Sequence, residues 1–448
     1  MGTSSSAPER VRSLRRGSTQ KAGGGGGGGG DDDNGLLQAV SQALQGRSLN
    51  KAERAWVAAA QAGIPFSRVR DELRGTITTV GSGEAAPAPA SAEEKQALVA
   101  KQAQAAVEMI KKDIDADLKE MKQGKGLMRS VKLATLTGED QHPTHHLRGD
   151  PWAADAEQAD ISRFWFGHTE PAERVDLFIS HSWNDDGNAK MMDGLQGDDL
   201  LREFSARKAT AMQNVVRTVK ELRGLSAAEV GELTFWMDKP CIPQFAPDVK
   251  SKCIQHLERF LEQAGGLIVL MNPKYLTRLW CIFEWTHFLV LHSPEDIFVN
   301  VRSFLWEHNV AVFIDNVRRV TVKGCECLMQ LDHTILERKV GALYKSEADF
   351  ERFLRLSLIA LCMRDFLAYP DLVATPEAFG LFVQPWMDLA AELGFDELHA
   401  GLSSFDFMQV YHEDCARDDS SYQIELKAHF SAHVYPVLAS VKHEVIKS

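Results

Sequence analysis

DLFISHSWNDD, Asp176–Asp186, decides how the middle of this chain folds. With Val175 in front of it, VDLFIS is a short continuous apolar run, the pattern of a strand buried on both faces, and Ser180 hands over to a polar loop. Downstream the same grammar recurs. Leu233–Asp238 (LTFWMD), Gly266–Met271 (GLIVLM) and Val310–Ile314 (VAVFI) read as further strands. Between and after them lie helical stretches: about Ala189–Arg223, interrupted by Gly194 and Gly197, then Val249–Gln263, the strongly apolar Leu279–Leu291, and Ser346–Leu361. Strand and helix alternating in short units predict a parallel sheet covered on both faces.

Outward from this centre the chain changes character. Residues 1–35 form a basic, glycine-rich tail: in the first thirty, Arg10, Arg12, Arg15, Arg16 and Lys21 stand against Glu9 alone, and eight glycines fill 23–30. Such a segment has nothing to bury a core with. Asp31, Asp32, Asp33, Asn34 and Gly35 lack the alternate ligand spacing and closing Glu of a calcium loop. Residues 36–125 read as helical segments with a linker. Asn50 with Glu53, and Ser91 with Glu94, make capping boxes, and Gly81, Gly83, Pro87 and Pro89 separate the two helices. In the second helix, expected to end near Gly124, Val107, Ile110, Ile114, Leu118 and Met121 fall on one stripe. It reads as a face packed on its own protein, with a contact between copies as the alternative. Residues 126–172, with His142, His145 and His146, read as an irregular connector, 173–362 as the α/β domain, and 363–448 as a helical region in which Thr375-Pro376-Glu377 opens a helix.

Composition narrows the function. A net charge of -12 argues against nucleic acid as a partner, since phosphate contacts need clustered Lys and Arg. The most apolar segment, around Leu356–Met363, is bounded by Arg355 and Arg364 and is too short to span a bilayer. Seven cysteines, none before Cys241, describe no disulfide framework and fit a reducing compartment. The Cys325-x-Cys327 pair has no further soft ligand at a zinc-site spacing, so no metal is expected.

Three segments carry a family resemblance, and they come in the right order. Asp176–Asp186 resembles box 1 of TIR (Toll/interleukin-1 receptor-type) domains. Phe235–Gln244, FWMDKPCIPQ, resembles box 2, a strand ending in Asp and leading into the BB loop. Asn272–Glu284, NPKYLTRLWCIFE, resembles the TIR pattern of Tyr, then Ser or Arg, then Trp-Cys-x-x-Glu opening the third helix. The likeness covers under half the chain and is closest to divergent, protist-type TIR-like proteins. It implies a flavodoxin-like doubly wound parallel sheet, with helical N-terminal and C-terminal extensions around it. It also implies a cytoplasmic signalling protein that associates with itself and with other TIR-like chains.

In an open parallel sheet, ligands collect beyond the carboxyl ends of the strands, near the point where strand order reverses. The box 1 and box 2 loops leave from that edge. Ser180, His181, Ser182, Asp185, Asp238, Lys239 and Gln244 are therefore expected to face one cleft, although Ser180 and Asp238 taken singly read as caps of nearby backbone. Trp183 or Trp236 would stack on a flat base, and Trp280 and Cys281 complete the ligand-binding set. Glu284 is the sharpest residue, because in LWCIFEWTHFLVL only it, Thr286 and His287 are polar. A buried Glu needs a partner, and His287 one turn on is the structural candidate. The resemblance supplies another role. Enzymatic TIR domains cleave the nicotinamide-ribose bond of NAD, and this helix carries their catalytic glutamate, which would stabilise oxocarbenium charge on the ribose. Against that stand the BB loop KPCIPQFAPD, without its usual Gly, and a long stretch between the first two strands. These favour the alternative, a catalytically silent interaction module. A phosphoryl-accepting receiver domain shares the fold class, but Asp185 and Asp186 lie well past the strand end.

The first residues, Met1-Gly2-Thr3-Ser4-Ser5-Ser6, fit the pattern for N-myristoylation at Gly2. One acyl chain binds membranes marginally, so the arginine cluster would have to add a weak peripheral contact at the inner membrane face, which phosphorylation of Ser18 would loosen. A plain basic tail is the simpler reading.

Overall fold

The computed structural model describes residues 112–133, 162, 165–182, 211–220, 223–272, 274–301, 309–327, 330–369, 374–417 and 421–447. Gly2, Ser18, the helical unit Leu36–Gly75, Val107, Ile110, the three histidines of the connector, Trp183 and Asp185 lie outside them.

Six strands form one mixed sheet: β1 (Arg129–Lys132), β2 (Glu170–Pro171), β3 (Leu177–His181), β4 (Thr234–Trp236), β5 (Leu267–Leu270) and β6 (Ile297–Val299), in the order β2-β1-β4-β3-β5-β6. The class is α/β. Strands β4, β3, β5 and β6 run parallel, and β1 is antiparallel to both β2 and β4. Every residue of β3, β5 and β6 is buried, which is why these strands are apolar without alternation. Register places Phe178 opposite Trp236, and their rings stack with centroids 4.2 Å apart. Asp176 ties the start of β3 to β4, its Oδ2 accepting both the backbone N–H and the hydroxyl of Thr234 at 2.7 Å. From β3 the chain steps out to β4, returns past β3 to β5, and continues to β6. The order therefore reverses between β3 and β5, and the carboxyl ends of these strands flank a crevice.

Two expectations about the sheet are corrected. The region 126–172 is not wholly irregular, because β1 and β2 come from it and add an antiparallel margin to the sheet. Arg129 holds that margin from inside. It is 2% exposed, pairs with Asp117 at 2.9 Å, donates to the hydroxyl and carbonyl oxygens of Thr169 at 2.7 Å each, and lies over the Phe166 ring. The second correction concerns Val310–Ile314, which is not a strand. It belongs to a helix, Asn309–Arg319, in which Val310, Phe313, Ile314 and Val317 are buried at spacings of three and four while Val312 is exposed.

The helices are α1 (Ala227–Gly231), α2 (Asp238–Cys241), α3 (Pro247–Gln255), α4 (Leu257–Glu262), α5 (Leu279–Leu291), α6 (Asn309–Arg319), α7 (Gln330–Leu343) and α8 (Glu347–Leu367). The expected helix Val249–Gln263 is thus two, with His256 between them at φ -99 and ψ 11. Within the described part of the Ala189–Arg223 stretch, residues 211–220 are helical. The stripe helix is described from 112 to 122, with Ile114 and Met121 buried, and Gly124 ends it at φ +84, a conformation that favours glycine.

The C-terminal region is helical, with α9 (Pro376–Phe382), α10 (Gln384–Glu392), α11 (Asp396–Ser403), α12 (Phe407–Arg417), α13 (Ser421–His429) and α14 (Tyr435–Val445). Thr375 caps α9 as expected, its hydroxyl accepting the N–H of Ala378 at 3.1 Å. α8 crosses the expected boundary at 362 without interruption and packs against α5, β6, α10 and α14. Its Arg364 and Asp365 finish the outer edge of β6. Arg364 donates to the carbonyls of Pro294 and Ile297, Asp365 accepts the N–H of Val299 at 2.7 Å, and the two side chains pair at 2.6 Å. Among the described residues no helix is long and apolar enough to cross a membrane.

Candidate functional site

β3 ends in Ser180 and His181, and Asp238 stands two residues past the end of β4, so both strands deliver polar side chains, His181 and Asp238, to the crevice. The N-terminus of α5 closes it from the β5 side. His181, Trp236, Asp238, Gln244, Trp280, Cys281 and Glu284 all line one cleft there, together with Ile242, Lys250, Ile254, Leu257, Arg278 and Asp332. The cleft holds about 760 Å³ of space, open solvent at its mouth included, which is within the range of small-molecule sites.

Glu284 opens onto this cleft and is not sealed against His287. Its Oε2 lies in hydrogen-bond contact with the Ser180 hydroxyl, 2.5 Å between the oxygens. His287 instead stacks on Phe283, 5.2 Å between centroids, and its Nδ1 has no hydrogen-bond partner among the described residues. Burial pulls the His287 imidazole down to about 4, so it is neutral at physiological pH and offers Glu284 no charge. The expected pair is therefore absent. Three or four residues of separation allow a contact on a helix, but each ring or carboxyl goes to whichever neighbour its rotamer reaches, and Ser180 lies across the sheet edge.

Burial also pushes the Glu284 carboxyl well above its ordinary value, with Asp238 adding to the rise and the Ser180 hydrogen bond opposing it. Ser180 is itself shared: its Oγ lies 2.6 Å from the Tyr275 hydroxyl, which donates to the carbonyl of Cys281 at 3.1 Å. Neither Ser180 nor Tyr275 is exposed to solvent.

Around this buried centre the rim is charged. Asp238 Oδ1 faces His181 Nε2 at 3.1 Å and accepts the backbone N–H of Lys239 at 2.8 Å, so the local cap read from the sequence is present together with the cross-strand contact. Burial raises the Asp332 carboxyl against the pull of Lys250 and a hydrogen bond from Trp280. Two polar atoms at the wall have no partner among the described residues, the indole Nε1 of Trp236 and the amide Oε1 of Gln244.

Ser180, Ser182 and Lys239 are corrections, and Ser180 reaches the cleft only through its contact with Glu284. All three are at most about 1% exposed and none lines the cleft, because the backbone at these positions turns their side chains into the protein. Lys250, Ile254, Leu257, Arg278 and Asp332 complete the cleft without having been singled out beforehand. Arg278 and Tyr275 lay inside the quoted NPKYLTRLWCIFE segment, whereas Asp332 arrives on α7 from far along the chain with no local signal. Among the described residues no group of three or more His, Cys, Asp or Glu side chains is placed to hold a metal ion. Cys325 donates to the carbonyl of Leu276 and forms no disulfide.

No family model, no curated protein and no solved structure matches the chain.

Proposed function

We propose that this chain is a TIR-like signalling protein whose α/β domain hydrolyses NAD, with Glu284 as the catalytic carboxylate. The carrying observation is that Glu284, a buried acid on an apolar helix, opens onto a cleft at the reversal of strand order and is held there by Ser180. The order β4-β3-β5-β6 supports the finer fold assignment, since it is that of the first four strands of a flavodoxin-like doubly wound sheet.

In this reading the nicotinamide ribose enters the cleft with its C1′ against Glu284. The C1′–N bond breaks and its electron pair passes to the pyridinium nitrogen, so nicotinamide leaves neutral and needs no acid. Oxocarbenium charge builds on the ribose and the ionised carboxylate stabilises it. Water then adds at C1′ and gives up a proton, leaving ADP-ribose. Trp280 and the edge of Trp236 supply flat apolar surface for a base. Lys250 and Arg278 supply positive charge for the diphosphate. The unpartnered Trp236 N–H and Gln244 C=O suit a ligand group that both accepts and donates, as a carboxamide does.

A second reading, a catalytically silent module that recruits other TIR-like chains, keeps the same fold. What favours it is that burial raises the Glu284 carboxyl well above its ordinary value, towards the uncharged form that would stabilise no oxocarbenium ion. Incubating the purified protein with NAD and following nicotinamide separates the two. Release that depends on Glu284 supports hydrolysis, and none across pH 6 to 9 leaves the recruiting module.

A further inference from the structure

Three oxygen-to-oxygen contacts run in series from the cleft into the core. Glu284 Oε2 to Ser180 Oγ is 2.5 Å, Ser180 Oγ to Tyr275 Oη is 2.6 Å, and Tyr275 Oη to the carbonyl oxygen of Cys281 is 3.1 Å. The two shorter contacts need a hydrogen between their atoms, since buried oxygens this close without one repel, and the third is a hydrogen bond when Tyr275 turns its hydrogen to the Cys281 carbonyl. The Cys281 carbonyl has none to give. Ser180 and Tyr275 bring one hydroxyl hydrogen each. If Glu284 is ionised, two hydrogens must serve three contacts. If Glu284 is protonated, the count closes: the carboxyl donates to Ser180, Ser180 to Tyr275, and Tyr275 to the Cys281 carbonyl.

We infer that Glu284 carries a proton in the unliganded protein, and that Ser180 and Tyr275 are positioning residues that hold it there through a hydroxyl relay ending on the Cys281 carbonyl. The inference rests on the reading of Glu284 as the working carboxyl of the cleft. It adds to that reading a resting state that is not yet reactive. An oxocarbenium ion is stabilised by a carboxylate, so the proton must leave before the glycosidic bond breaks, and a cationic pyridinium ribose is the ligand that expels it. The proton passes to solvent at the cleft mouth, and the Ser180 hydrogen then turns towards Glu284. Tyr275 gives up one of its two contacts. The relay thus selects a cationic base over a neutral one of the same shape.

Other charged groups do not reverse the count. Asp238, at the end of β4, repels a second negative charge and favours the proton. Burial keeps the Cys281 thiol, on the same helix, and the Cys362 thiol, on α8, neutral. Arg278 stands at the mouth beside Cys281, Lys250 acts on Asp332, and His181 is engaged by Asp238. The direction of the Glu284 shift, raised by burial, agrees with the count.

Infrared difference spectroscopy tests this without any nucleotide. The wild-type minus Glu284→Gln spectrum at pH 7 is expected to show the carbonyl stretch of a protonated carboxyl, lost as pH is raised. In Tyr275→Phe the serine hydrogen has only Glu284 to serve, so ionised Glu284 is fully satisfied and the band should titrate away about one pH unit lower, the worth of one hydrogen bond. Absence of the band from wild type at pH 7 overturns the inference, as does a Tyr275→Phe band that titrates where the wild-type band does. Should Tyr275→Phe fail to fold, the Glu284→Gln comparison still decides where the proton is. A protein that shows the band yet never releases nicotinamide upholds the relay and removes the NAD reading.

Discussion

The indole N–H of Trp285 donates to the hydroxyl of Ser357 at 2.8 Å, which locks the back of α5 to α8 directly behind the residue that carries the cleft's carboxyl. Ser357 in turn donates to the Leu354 carbonyl at 3.0 Å, so the bond is part of a chain within the core. Trp285 is 0% exposed. Trp285→Phe removes the donor and part of the volume and is expected to cost about 1 to 3 kcal/mol, and Trp285→Ala about 3 to 5 kcal/mol. Urea midpoints measure both. A neutral Trp285→Phe would mean that α5 is held by its neighbours without this bond.

Glu284→Gln is expected to fold and to lose at least about a hundredfold in any nicotinamide release, because the amide keeps the contact with Ser180 but has no charge for the transition state. Wild-type turnover in a folded Glu284→Gln protein ends the catalytic assignment.

The same substitution should change how stability depends on pH. A carboxyl raised in the folded state contributes stability that is fully present below its unfolded value, near about 4.3, and is lost as pH climbs through the higher folded value. Wild type should therefore weaken relative to Glu284→Gln as pH rises above the ordinary carboxylate range, the gap between the two becoming independent of pH on the acid side. Parallel melting curves for the two proteins at every pH would show that burial does not penalise the charge.

Catalysis has a matching signature. In the NAD reading the ionised carboxylate is the active form, so kcat/KM should rise with pH along a limb set by the free protein, placed above the ordinary carboxylate range. An acid limb at ordinary carboxylate pH would show that the empty cleft does not hold the carboxyl neutral.

Asp365→Ala leaves the Val299 N–H without its acceptor and Arg364 without its carboxylate, both part-buried. A loss of about 3 to 5 kcal/mol is expected. Hydrogen exchange should quicken first at Val299. Unchanged protection there would show that water replaces the carboxylate at no cost.

Much of this was legible in the sequence because some signals are local. Continuous apolar runs located β3, β4 and β5, and α5 occupies Leu279–Leu291 as read, since its boundaries follow from composition alone. What failed depended on partners far along the chain. VAVFI is too short to tell a strand from one face of a helix, and only the burial of Phe313 and Val317 with exposed Val312 makes it helical. β6 is three residues long, and Arg129 in β1 has the side chain least expected in a core until Asp117, Thr169 and Phe166 surround it. In the site, the helix and its carboxyl were visible, but the partner was misjudged. Sequence proximity suggested His287, whereas the sheet brings Ser180 from the end of another strand.

The side chains along the free margin of β6 also decide how copies of this domain can meet. A bare edge strand is a template on which another chain can add its own strand, and growth of that kind has no natural end. With Ile297 and Val299 already satisfied by Arg364 and Asp365, and only the two-residue β2 at the opposite margin, neither border offers a template among the described residues. Any gathering of such domains must use helix and loop surfaces. It would then be assembled from finite, separable contacts that come apart one at a time.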